Sequence, residues 1–83
     1  MEQVTFSGDL TISRADELVT TLLQALRGQQ KLMVDLTAVN RIDTAAAQVL
    51  IAAKLQAQQN ATNIVFSYSA TVCERLQAIG IQL

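Results

Sequence analysis

The sequence predicts a small single-domain α/β protein. Its sheet is expected to be mixed and mostly parallel, with four to five strands and three helices in the order β-β-α-β-α-β-α-β. Three observations carry this. The chain has 83 residues, 51% of them hydrophobic, the size of one domain spanning residues 1–83 around one core. Apolar runs of period two alternate along it with apolar runs of helical period. Its three glycines, Gly8, Gly28 and Gly80, each fall where the period changes and so act as punctuation. Strands separated by helical crossovers pair in parallel through right-handed connections, which makes the sheet mostly parallel.

Val4 to Ser7 and Leu10 to Ile12 both alternate with period two, and Gly8-Asp9 between them offers a two-residue turn, so a β-hairpin is expected here. Ser13 then supplies an N-cap oxygen ahead of Asp16 and Glu17, two acids at the positive end of a first helix. Leu18, Leu22, Ala25 and Leu26 share one face of it, and Arg27-Gly28 ends it. Lys31 to Leu36 is a short, nearly continuous apolar run, as an interior strand covered on both faces or nearly so would have, and belongs at the sheet centre.

Asp43-Thr44 opens a second helix, because Ala45 to Gln59 contains no helix breaker. Ala46, Val49, Leu50, Ala53 and Ala57 form its apolar face, with Ala47, Ile51 and Leu55 on a neighbouring stripe and Asn60 as C-terminal cap. Thr62 to Tyr68 reads as a strand by its β-branched and aromatic content. Ser69 caps a last helix carrying Val72, Leu76 and Ile79, Gly80 closes it, and Ile81 to Leu83 is expected to add a final short strand.

Composition excludes several chemistries. Without histidine the chain assembles no Ser-His-Asp triad, no Cys-His pair and no Cys₂His₂ metal site. Six Lys+Arg against seven Asp+Glu leave a net charge of -1, with no basic field for nucleic acid or anionic lipid. The lone Cys73 has no partner for an internal disulfide and reads as a small buried hydrophobe in a reducing compartment. The start Met1-Glu2-Gln3-Val4 has no signal-peptide character, and no apolar run approaches the roughly 20 residues that span a bilayer. The expectation is a cytoplasmic protein that does not insert into membranes and carries no metal or cofactor.

Two clusters bear on function. Asp35 and Asp43 bracket the connection between the central strand and the second helix, near the strand's carboxyl end, where open α/β sheets place binding sites. They could hold a cation or act as acid and base. The stronger reading is structural, with Asp35 bonding a loop amide and Asp43 helping to cap the helix, since no further acidic residue nearby completes an oxygen cage. The Asp43-Thr44 pair puts a hydroxyl beside unpaired amides at the positive end of a helix, where a phosphate is accommodated; an ordinary N-cap reads the same way. Ala45-Ala46-Ala47 leave the first turn without bulk, which suits close approach of another protein and also suits helix propensity alone. Gly28-Gln29-Gln30-Lys31 follows a helix and precedes a strand, the reverse of the P-loop order.

These residues together resemble the STAS family, the domain shared by sulphate transporters and bacterial anti-sigma factor antagonists. Gly8-Asp9-Leu10-Thr11-Ile12 is similar to the family's opening segment. Met33 to Thr44 is similar to its signature strand and loop, which runs into an Asp-Ser or Asp-Thr pair opening a helix, and Ser69 to Gly80 to its last helix and glycine. Asp43 to Leu50 is particularly similar to chemotaxis-associated members of a compact branch that also includes a subunit of the bacterial lipid-asymmetry ABC transporter. Ala46 stands where members often have glycine, and Ala47 where they have a large aliphatic residue.

The resemblance implies a non-enzymatic switch module. Thr44 would be the phosphoacceptor, and Arg41, Asp43, Thr44, Ala45, Ala46, Ala47 and Gln48 the partner-binding surface. The implied partners are an anti-sigma or chemotaxis kinase and a phosphatase, or alternatively a transporter ATPase bound constitutively.

Overall fold

In the computed structural model, which describes residues 2–83, strands and helices alternate strictly. The order is β1 (Glu2–Leu10), α1 (Ala15–Leu26), β2 (Lys31–Ile42), α2 (Thr44–Gln59), β3 (Asn63–Tyr68) and α3 (Ala70–Ala78), with a 3-10 turn at Ile12–Arg14 leading into α1. The strands form one sheet in the order β1-β2-β3, parallel throughout. The described residues therefore hold three strands in place of the four to five expected, and no antiparallel pair.

The missing strands have identifiable causes. The expected hairpin is a single strand, β1, and Gly8 (φ 74°) sits within it at an irregularity of the ladder, not in a turn. From Glu2 to Leu10 β1 advances eight residues while β2, from Leu32 to Ile42, advances ten. The two extra residues of β2 enter as bulges, between the Thr5 and Ser7 pairings and between those of Gly8 and Asp9. At the first bulge Asp35 Oδ1 accepts from both the amide (2.9 Å) and the hydroxyl (2.6 Å) of Thr37. Across from the bulges, the Arg14 guanidinium donates from Nη1 to the carbonyls of Ser7 (2.7 Å) and Asp9 (3.1 Å), and its Nε lies 3.3 Å from Glu17. Backbone acceptors around Gly8 are thus served by a side chain, and the chain runs on extended where a turn was expected.

Bulging also explains the length of β2, which continues for six residues past the expected end at Leu36. Ile81 to Leu83 is not a strand; Ile81 and Leu83 are partly buried against the core. Ser13 does not cap α1 either, because its hydroxyl pairs with that of Thr11 (2.9 Å), and α1 begins after Arg14 with no side-chain cap.

One core unites the layers. Phe6, Leu10, Leu32, Val34, Leu36, Val39 and Ile42 supply the sheet side, against Leu18, Leu22 and Leu26 of α1, Leu50 and four alanines of α2, and Val72 and Leu76 of α3. Full burial of each such leucine is worth about 1.5–3 kcal/mol. The opposite face of the sheet is largely open, a departure from the double covering expected of β2: Gln3, Thr5 and Val65 are exposed and Met33 half-buried. β2 is nevertheless central, as its sequence predicts.

Helix ends are closed by backbone bonds. After α3, Gly80 (φ 79°) lets the Ile81 amide reach back to the Leu76 carbonyl (2.8 Å). After α2, Asn60 is the C-cap as expected, but Ala61 takes the left-handed conformation (φ 56°), so that the Thr62 amide reaches the Ala57 carbonyl (2.8 Å). Thr62, buried, then donates its hydroxyl to the Gln29 carbonyl (2.7 Å) and ties the two loops at that end of the sheet.

Candidate functional site

The site lies where β2 hands over to α2. Ile42, the last residue of β2, is buried and anchors the junction, while Arg41 before it is exposed. Asp43 follows in an extended conformation as the N-cap of α2. Its Oδ1 accepts from the Ala46 amide (2.8 Å) and its Oδ2 from the amide of Ile12 (2.8 Å), thirty-one residues away in sequence. Its own amide donates to the Leu10 carbonyl (3.1 Å). One aspartate therefore caps α2 and fastens it to the end of β1.

Because Asp43 does the capping, Thr44 is released from it. Thr44 is exposed, opens the helix, and its hydroxyl makes no hydrogen bond among the described residues. The amides of Thr44 and Ala45 lie in the first turn, where no intrahelical acceptor exists, so the hydroxyl stands at the positive end of a sixteen-residue helix. Gln48, four residues on, is exposed on the same side, and Ala45 is half-buried beside it. Ala46 and Ala47 are elsewhere: at 1% and 0% exposure they face the core and offer a partner no surface. Of the seven sequence-predicted contact residues, Arg41, Thr44 and Gln48 are exposed, with Asp43 and Ala45 half-buried beside them.

Asp35 and Asp43 do not form a pair. At the rise of an extended strand, the eight steps along the chain from one to the other amount to roughly 20 Å or more. Asp35 lies mid-strand in register with Thr5 and Ser67. Its carboxyl is held below the usual carboxylate range by the Thr37 hydroxyl and then by the Thr37 amide. Among the described residues no three acidic or thiol groups gather as metal ligands would. Cys73, expected to be buried, is half-buried on α3.

A concavity of about 370 Å³ adjoins the site, lined by Thr11, Asn40, Arg41, Ile42, Asp43, Thr71, Val72 and Arg75. It exists because β3 pairs with β2 only as far as Leu36, so the stretch from Thr37 to Ile42 has no second strand and α3 begins beside it. Sequence reasoning missed Thr11, which the pairing of Leu10 with Ile42 brings to the site, and Thr71 and Arg75, which the mismatch in length between β2 and β3 brings there. A wider depression of about 880 Å³ lies at the opposite, amino-terminal end of β2, among Gly28, Gln30, Lys31 and Asn60. In parallel sheets ligands favour the carboxyl ends of strands, and it is there that the smaller concavity opens.

A family model described as "Mlab, STAS domain" matches residues 2–81. Among solved structures, the chain is similar to a sulfate transporter family protein from Wolinella succinogenes, with a TM-score of 0.81 and 19% identity over 95% of this chain and 66% of that one. It is also similar to Mglu, with a TM-score of 0.73 and 15% identity over 82% of this chain and 17% of that one. The chain thus spans just under two thirds of the first protein and a small part of the second, and at these identities the likeness is one of fold. The comparison with curated proteins gives no match.

Proposed function

The chain belongs to the STAS domain family, and from that premise we propose that it is a cytoplasmic, non-enzymatic switch module whose partner binds at the start of α2. Arg41, Thr44, Ala45 and Gln48 form the contact, Asp43 braces it, and Thr44 is the phosphoacceptor. The observation that carries this reading is the division of labour at the helix start. Asp43 supplies the cap, so the Thr44 hydroxyl is exposed, unbonded and spare.

A phosphate on Thr44 adds about -1.5 to -2 charges. Within the domain that charge is offset by the helix dipole and the neighbouring Arg41, and no structural bond is lost. Against a close-packed partner it is repelled and costly to desolvate. Binding is switched and the fold is kept. A kinase of the anti-sigma or chemotaxis type, with a phosphatase to reverse it, is the partner set this chemistry needs.

Mass spectrometry of protein from native cells is expected to find phosphate on Thr44. In pull-downs Thr44→Ala keeps the partner, while Thr44→Glu loses about tenfold or more in affinity. Absence of phosphate, with both variants binding as the parent does, overturns the switch. The Mlab description of the matching family model favours a second reading, a constitutive accessory subunit of a transporter ATPase in which Thr44 is a contact and is never modified. Stable co-purification with an ATPase subunit, indifferent to phosphatase treatment, selects it.

A further inference from the structure

We propose that the concavity between the end of β2 and the start of α3 is an anchor for one acidic side chain of the partner, gripped by Arg41 and Arg75. This rests on the reading that the partner meets this end of the molecule, and it names the partner's chemistry there. Both arginines line the concavity and both are exposed. Neither makes an ion pair among the described residues, whereas Arg14 is committed to Glu17. Asp43, the acidic group in the lining, has each oxygen occupied by a backbone amide.

Charge selects the occupant. Two guanidinium groups and one carboxylate leave the lining at a net +1, which a single carboxylate neutralises and a phosphate dianion overshoots. Two arginines suit the planar, bidentate geometry of a carboxylate. The exposed Thr71 adds an unbonded hydroxyl, and its amide lies in the first turn of α3, where the Ser69 hydroxyl already serves Val72 (3.3 Å). Asn40, also exposed, closes the rim. The anchor also explains how a modification at Thr44 reaches beyond its own contact. About -2 charges arriving beside Asp43 turn the local +1 into about -1, and an acidic anchor is expelled.

The test uses the whole chain and capped tripeptides as probes, followed by amide and arginine side-chain NMR. Acetyl-Gly-Glu-Gly-amide is expected to give saturable shifts at Thr11, Asn40, Thr71 and the guanidinium groups of Arg41 and Arg75. The Gln counterpart gives none. Arg75→Gln and Arg41→Gln each weaken the Glu peptide by about threefold to fivefold, as loss of one exposed charge pair does. Equal shifts from the Gln peptide, no shifts from either, or tighter binding of inorganic phosphate than of the Glu peptide overturn the anchor. Thr44→Glu is expected to weaken the Glu peptide as well; unaltered binding overturns the coupling to Thr44. None of these readouts depends on Thr44 being phosphorylated in cells, so failure of the anchor and failure of the switch are distinguishable.

Discussion

Asp43 and Thr44 are neighbours with opposite duties. Asp43 holds two backbone amides, one three residues on and one thirty-one residues back, and Thr44 holds nothing. Loss of an N-cap acceptor costs about 0.5–2 kcal/mol, so Asp43→Ala is expected to lower the stability measured by chemical denaturation by about 2 kcal/mol. Asp43→Asn, which keeps one acceptor oxygen, is expected to lose about half as much, and Thr44→Ala to change stability by less than about 0.5 kcal/mol. Asp35 adds a pH signature. Its folded-state pKa is lowered, chiefly by the Thr37 hydroxyl, so its contribution to stability is present above the unfolded carboxylate value, about 3.9, and is lost as pH falls through the folded one. Denaturation midpoints of the parent and Asp35→Asn are therefore expected to differ at pH 6 and to converge towards pH 2. The caps at Asp43 and Ser69 were legible because capping is local, read within three residues. The Arg14 clamp on Ser7 and Asp9 was not. It spans a change from strand to helix, and an isolated arginine carries no sign of which carbonyls it will serve.

Helix α2 shows how a legible element is assigned the wrong reason. Its extent and cap follow from the sequence, as does the apolar face with Ala46, Ala53 and Ala57, but the Ala45-Ala46-Ala47 run admitted two explanations there, intrinsic propensity and approach by a partner. In the fold Ala46, Ala47, Ala53 and Ala57 are core residues at 7% exposure or less. Small side chains there let the helix lie close to the sheet and to α1, at the packing density of an interior. Ala47→Leu is expected to destabilise the domain by about 1–3 kcal/mol through overpacking, with Ala52→Leu, at an exposed position, within about 0.5 kcal/mol of the parent. Thermal or chemical denaturation of the two variants separates tight packing from propensity, since leucine and alanine are both good helix formers.

For the molecule as a whole, the class and the three helices with strands between them were legible, but the second and last strands of the expected order are absent among the described residues. Alternating strands and helices pointed to a mostly parallel sheet and the apolar run of β2 to its central place, while the mixed character expected from a hairpin is not found in the three parallel strands. What the sequence conceals is pairing at a distance. Gly8-Asp9 has the composition of a hairpin turn, and the long partner strand with its two bulges, together with the Arg14 clamp, keeps that segment in the sheet. The same extension of β2 past β3 opens the concavity at Arg41 and Arg75, so the site could not be assembled in full from a reading that stopped the strand at Leu36.

The clamp on Ile12 has a consequence for recognition. Among the described residues Ile12 is the most exposed of the large apolar side chains, at 71%, and its amide is held by Asp43 at the rim of the same surface. Apolar residues this open usually ride on mobile backbone, and a partner that covers them must first immobilise the segment. Here that ordering has already been done during folding, by a carboxylate belonging to the site itself. A protein that covers Ile12 gains the apolar contact without the entropic penalty of stilling its main chain.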